Sequence, residues 1–127
     1  GMSANETRDL IEQSLERTLN ELPALRKLPL VFQLELRNRS DRQLYLVKLS
    51  GTDDPPVIER GGGEAAKIML GVTRPHFNVL AEKGTVAMWR EAFTAGHAHV
   101  AGPSQMLQLI LKVVEKHEVR TSARRRG

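Results

Sequence analysis

The side chains that could carry out chemistry are few and scattered, and the closest pair is His97 and His99. Two histidines two positions apart on a strand point to the same side, and imidazole is a common zinc ligand. A zinc site needs at least a third ligand, and the sequence places neither His76 nor His117 beside the pair. We therefore expect a solvated strand face and no metal, and keep a small enzyme or metal site that uses both histidines as an alternative.

Covalent catalysis and phosphate binding have equally little support. The serines occur without a Gly-x-Ser-x-Gly elbow, and a chain with zero cysteines has no thiol nucleophile. A phosphate loop would need its glycines to continue into Lys-Ser/Thr and a helix, which Gly61, Gly62 and Gly63 do not do. The triplet instead predicts the turn of a β-hairpin. We predict no enzymatic activity and no cofactor.

The basic character of the chain is confined to its C-terminus. The 127 residues have a formal net charge of +4, so four basic residues are in excess. Those four are Arg120, Arg124, Arg125 and Arg126. Residues 1–119 are therefore neutral overall and have few aromatic residues, which argues against specific nucleic-acid recognition. We expect residues 120–127 to form a disordered basic tail that could touch an anionic membrane surface.

Length and hydropathy indicate one domain, residues 1–119, with a core of its own. No apolar run approaches the roughly 20 residues of a membrane-spanning helix, and the N-terminus lacks the apolar region of a signal peptide. The absence of cysteine fits a reducing compartment. We expect a soluble cytoplasmic protein.

The apolar periodicity predicts an α+β domain. Ser3 and Glu6 have capping-box spacing and begin an amphipathic helix. From Leu30 the period changes to two, which predicts a two-stranded hairpin followed by two more strands, two helices, a strand and a last helix. We predict that the last helix begins at Pro103 and ends at about His117. Strands followed by helices predict a mainly antiparallel sheet with the helices on one face.

Turn and cap residues set the limits of the later elements. Val57 to Arg60 and Glu64 to Gly71 are predicted strands on either side of the glycine triplet. Thr73 and Thr85 are predicted to cap the second and third helices, and Gly96 is predicted to end the third.

The last helix has more apolar surface than one packing contact needs. Apolar residues between Met106 and Val114 cover about 200° of its circumference, whereas an ordinary surface helix needs only about 100°. The helix from Val86 to Ala95 shows the same pattern more weakly. Three interpretations stay open: ordinary core on both sides, a face covered by a second subunit, or a cavity for an apolar ligand.

The stretch from Glu64 to Glu118 carries a recognisable pattern. A strand ends in a capped helix with an aromatic residue in its second turn and a glycine near its end, a second helix follows, and a Gly-x-x-x-Val-x-Gly strand leads into a Leu/Met-rich helix. The positions are Thr73, Phe77, Gly84, Gly96, Val100 and Gly102. This pattern resembles the C-terminal half of the sterol carrier protein family, of the nonspecific lipid-transfer type.

The resemblance implies a five-stranded sheet and a hydrophobic tunnel that accepts fatty acyl chains, acyl-CoA, phospholipids or sterols, without catalysis. By position, the tunnel would be lined by residues of the sheet and three helices: Met69, Phe77, Leu80, Met88, Trp89, Phe93, Met106, Ile110 and Val114. The competing hypothesis is a non-catalytic interaction module of a larger metabolic system, in which the same apolar surface forms a homodimer.

Overall fold

The computed structural model of the chain describes residues 3–63 and 66–126. It contains five strands, four α-helices and a short 3-10 helix, Pro23–Lys27, in the described residues. The α-helices are α1 (Ala4–Glu21), α2 (Arg74–Lys83), α3 (Val86–Thr94) and α4 (Ser104–Arg126). The strands are β1 (Val31–Arg37), β2 (Arg42–Lys48), β3 (Val57–Arg60), β4 (Ile68–Thr73) and β5 (Ala98–Ala101).

The five strands form one sheet in the order β3-β2-β1-β4-β5. Only β1 and β4 run parallel among these strands, while the pairs β1–β2, β2–β3 and β4–β5 are antiparallel. The predicted α+β class with a mainly antiparallel sheet is therefore confirmed. The predicted hairpin of the first two strands is also confirmed, because β1 and β2 pair along their full length.

The predicted hairpin at the glycine triplet is wrong. β3 pairs with β2, whereas β4 pairs with β1 on its other side, so the connection must cross two strands instead of turning back. It crosses closely, because a Cβ on Gly62 would lie 3.0 Å from the Gln33 side chain, and one on Gly63 would lie 2.8 Å from that of Leu46. β4 begins at Ile68, and residues 64 and 65 lie outside the described residues.

The register assigns the strand residues to two faces. Leu34 and Leu36 of β1 lie opposite Tyr45 of β2 and Val72 of β4 and share one face with them. These residues are buried in one cluster with side chains of α1, α2 and α3. The other face carries Gln33, Glu35, Leu46, Met69 and His99, and the glycine crossover passes over it. The α-helices therefore cover one face of the sheet, as predicted.

The helix starts follow the predicted caps with one exception. The Ser3 side chain accepts a hydrogen bond from the Glu6 N–H at 3.2 Å, and the Thr85 side chain accepts one from the Met88 N–H at the same distance. Thr73 occupies the N-cap position of α2, but its hydroxyl lies 2.6 Å from His76 Nδ1 and caps no backbone N–H. The left-handed φ of Gly96, +82°, lets the chain leave α3.

A polar contact fixes α1 and α2 against the sheet. Arg74, the first residue of α2, donates to the hydroxyl of Thr7 at 2.8 Å and to the side chain of Gln43 on β2. Thr7 is fully buried, and its hydroxyl also donates a hydrogen bond to the backbone carbonyl of Ser3 at 3.1 Å. The guanidinium thus joins three elements around one point.

The last helix differs from its prediction. α4 continues past His117 to Arg126, so residues 120–126 are helical where a disordered tail was expected, and residue 127 lies outside the described residues. His117 and Glu118 contact other helices near the predicted end, and arginines in the last turn suit the negative end of the helix dipole. The helix therefore runs through residue 119, where the domain limit was expected. None of the helices in residues 3–63 and 66–126 is long and apolar enough to span a membrane.

Gly84 should be essential for the tight end of α2. A Cβ at this position would lie 2.5 Å from the backbone oxygen of Leu80, and the backbone cannot move aside without distorting the helix end. We expect Gly84→Ala to lower the free energy of unfolding by about 1–3 kcal/mol in urea denaturation. Gly71→Ala is the control, because its Cβ would be no closer than 3.6 Å to its neighbours; a loss of similar size there would contradict the interpretation.

Candidate functional site

The helices cover one end of the sheet completely and leave an apolar edge at β5. Leu36, Val72 and Ala98 form a row across β1, β4 and β5, and each is 1% exposed. In the next row on the same face, the exposed fraction rises from β1 to β5. Leu34 is 3% exposed, Leu70 is half-buried and Val100 is 44% exposed. Apolar surface is therefore left open toward the β5 edge.

α3 adds aromatic surface beside this edge. Its Trp89 ring lies 6.5 Å from that of buried Phe77, in an edge-to-face arrangement, and 6.3 Å from that of Phe93. Phe93 is partly exposed, and α3 packs against β5. The three rings thus form a continuous apolar path from the core to the surface.

α4 contacts the core only through a central stripe. Ile110, Val113 and Val114 pack against the core cluster, yet all three remain half-buried, and no described residue of α4 is fully buried. Leu109 and Leu111, on the two sides of this stripe, are exposed. Ordinary core packing therefore does not account for the wide apolar face of α4. We define the β5-edge surface as nine half-buried or exposed apolar residues on the helix-covered face of β4 and β5, on α3 and on the central side of α4: Leu70, Met88, Trp89, Phe93, Val100, Met106, Ile110, Val113 and Val114.

Polar contacts hold the C-terminal half of α4 in place. Glu21, the last residue of α1, lies 2.8 Å from His117 Nε2 through one carboxylate oxygen. Its other oxygen accepts a hydrogen bond from the Val86 N–H at 2.9 Å, at the start of α3. A second ion pair joins Arg90 of α3 to Glu118 of α4 at 2.8 Å. The carboxylate of Glu21 therefore connects three helices, and its charge suits the N-terminus of α3.

We expect Glu21→Ala to loosen α4. The substitution removes the partner of His117 and leaves the Val86 N–H without its acceptor, which should lower the free energy of unfolding by about 1–3 kcal/mol. Hydrogen exchange measured by mass spectrometry should show faster exchange across residues 110–121. Glu16→Ala, at an exposed position on the same helix, is the control. Equal protection of α4 in the two variants would contradict the role of Glu21.

The nine predicted lining residues fall into three groups. Two are buried parts of the core, namely Phe77 and Leu80. Six belong to the β5-edge surface: Met88, Trp89, Phe93, Met106, Ile110 and Val114. Met69 lies apart from all of them, because it pairs with Gln33 and Ala101 on the opposite face of the sheet.

The sequence interpretation missed three residues of this surface, Leu70, Val100 and Val113. Alternation along β5 does place Val100 on the same side as Ala98, and that signal was present in the sequence. The inward position of Leu70 follows only from the parallel pairing of β4 with β1, which places Leu70 beside Leu34.

The histidines do not assemble a metal site in the described residues. The ring of His97 stacks on that of His76 at 3.6 Å, and His99 is exposed on the opposite face of the sheet. In residues 3–63 and 66–126, no three side chains of His, Asp or Glu come close enough to hold a metal ion. Within the same ranges, the histidine that pairs with a carboxylate is His117, in the junction of helices.

A charged concavity of about 610 Å³ lies at the β1–β2 turn, and its Glu35 is on the face of the sheet opposite to Leu70. Arg37 and Arg42 both donate hydrogen bonds to the carboxylate of Glu35, the latter at 3.2 Å. The hydrogen bond from Arg37 is the main cause of a lowered Glu35 pKa, and the charges of both arginines act in the same direction. This carboxylate is therefore held as an anion in an ion-pair network.

The lowered pKa of Glu35 predicts a pH-dependent contribution to stability. A carboxylate whose pKa is lower in the folded chain stabilises the fold above its ordinary pKa of 4.5, and this stabilisation is lost as the pH falls through the folded value. The difference in free energy of unfolding between the wild type and Glu35→Gln should therefore shrink below about pH 4.5 in urea denaturation. A difference that stays constant or grows on acidification would contradict this assignment.

Comparison with solved structures identifies the fold. The chain resembles the solution structure of palmitated SCP2L2 from Aedes aegypti, with 18% identity and a TM-score of 0.55. The match covers 82% of this chain and 93% of that one. The crystal structure of SCP2-L2 from the same organism gives 22% identity, TM-score 0.55 and coverage of 86% and 97%. Sterol carrier protein 2 from Yarrowia lipolytica gives 19% identity, TM-score 0.53 and coverage of 76% and 83%.

Sequence comparison assigns no family to the chain, because neither a protein-family model nor a curated protein matches it. The structural likeness is sufficient to assign the architecture. The chain has a sterol carrier protein 2-like fold, as the sequence resemblance implied.

Proposed function

We propose that the chain binds apolar ligands with an acyl-chain or sterol-like body at the β5-edge surface, and that it carries or presents them without covalent chemistry. The observation that carries the proposal is the exposure gradient from Leu34 to Val100 on the helix-covered face. Large apolar side chains left open beside a packed core are typical of ligand sites. The fold supports the same proposal, since the Aedes aegypti SCP2L2 structure with this architecture is palmitated.

The composition of the surface fits such ligands. It combines aliphatic, aromatic and methionine side chains from two strands and two helices, and methionine adapts to ligands of different shape. Burial of about 300 Å² of hydrocarbon at about 25 cal/mol/Å² contributes about 7.5 kcal/mol before the costs of association. This permits weak to moderate affinity with little selectivity for the head group.

The mobility needed to admit a ligand can come from α4. Its apolar stripe is only half-buried, so displacement of this helix breaks fewer apolar contacts than displacement of α1 or α2. Polar contacts at Glu21 and Arg90 hold the C-terminal half of the helix, while its first turn follows β5 after two residues. We expect α4 to move as a flap about this anchored half.

The binding site should be blocked by a charge on the edge strand. Val100→Lys places an ammonium group among the apolar side chains, so an acyl chain could bind there only by desolvating it. We expect the affinity for cis-parinaric acid, measured by its fluorescence, to fall by about tenfold or more. Val57→Lys is the matched control, because Val57 is 48% exposed on the other edge strand and on the opposite face. Equal losses in both variants, or saturable binding in neither the wild type nor the control, would refute the site.

A second candidate function uses the same residues for assembly. Leu109 and Leu111 are exposed on both sides of the α4 stripe, which is an arrangement that a second copy of the chain could cover. Light scattering over a range of concentrations separates the two functions. A stable dimer that binds no cis-parinaric acid supports the interaction module, and a monomer that binds it supports the ligand site.

A further inference from the structure

The helical extension of α4 organises cations that the sequence alone left separate. Lys112, Lys116, Arg120 and Arg124 are spaced four residues apart and all are exposed. In a continuous helix this spacing places them along one side, next to one another. We call these four residues the basic stripe. Lys112 and Lys116 lie away from the half-buried side of α4 that carries Ile110 and His117, and the stripe turns toward that side at Arg124.

The basic stripe is not explained by the stability of the fold. No member of it forms an ion pair within residues 3–63 and 66–126. Like charges four residues apart repel each other on a helix, so the arrangement costs stability in the isolated chain. On α1, by contrast, the same four-residue spacing places a cation beside an anion, because Arg8 pairs with Glu12 at 3.5 Å. A row of unpaired cations therefore points to an anionic partner outside the chain.

Exposed apolar side chains lie among these cations. Leu109, three residues before Lys112, is 51% exposed, and Val119, next to Arg120, is 67% exposed. A helix that presents cations together with exposed aliphatic residues has the composition of a helix lying in the interface of an anionic bilayer. The cations then meet lipid phosphates while the aliphatic groups enter the boundary of the acyl region.

We propose that the basic stripe of α4, with Leu109 and Val119, docks the protein on an anionic lipid bilayer. Cations alone would also suit nucleic acid, but single-strand recognition uses aromatic stacking, and α4 contains no Phe, Trp or Tyr. The aliphatic neighbours therefore favour the bilayer. This docking does not require the β5-edge surface to bind a ligand, so its failure would leave the proposed function untouched.

Vesicle cosedimentation of the full chain tests the proposal. Vesicles of phosphatidylcholine with phosphatidylserine should bind the protein, and vesicles of phosphatidylcholine alone should bind it more weakly by at least about tenfold. The variant K112Q/K116Q/R120Q/R124Q should lose at least about tenfold in affinity for the anionic vesicles. Glutamine keeps a high helix propensity, so α4 should remain folded, which circular dichroism verifies.

Two further variants make the test specific. R39Q/R60Q/K67Q/K83Q removes the same number of exposed cations elsewhere and should retain binding. K112R/K116R/R120K/R124K keeps every charge of the stripe and should also retain binding. The proposal is overturned if the wild type ignores anionic vesicles, if the stripe variant and its control lose binding equally, or if a single-stranded RNA oligonucleotide binds the wild type more tightly than the vesicles do.

Discussion

The parallel pairing of β1 with β4 is the constraint on which the rest of the arrangement depends. It separates β3 and β4 by two strands, so the chain between them must cross the sheet, and glycines allow this close crossing over Gln33 and Leu46. It also places β5 at an edge, beside β4 and followed directly by α4. Because the crossover occupies one face and the helices the other, the core and the apolar edge fall on the same side.

The helix-covered face has two regions with different roles. Where α1 and α2 pack on it, Leu36, Val72 and Phe77 are buried and stabilise the domain. Toward β5 the cover comes from α3, and α4, which contacts the short 3-10 helix, contributes no fully buried residue. The apolar contacts that are missing from α4 are partly replaced by the carboxylate of Glu21, which joins α1, α3 and α4. The buried core that stabilises the domain and the open apolar surface therefore lie on different parts of the same sheet face.

Much of the fold could be predicted because local signals agree with the tertiary structure. The Ser3 and Thr85 caps, the β1–β2 alternation and the turn at Gly96 each depend on residues close in sequence. The glycine triplet was misinterpreted because glycine serves equally in a hairpin and at a close crossing. The end of α4 was misplaced because its stabilising partners, Glu21 and Arg90, are distant in the chain.

The sequence by itself determined the α+β class, the apolar excess of the last two helices and the concentration of positive charge at the C-terminus. These properties follow from periodicity and composition, which are local. The tertiary structure decided that Phe77 fills the core, that Met69 faces the opposite side and that Val100 lies on an open edge. Strand order and register settle these points, and both depend on hydrogen bonds between residues far apart in sequence.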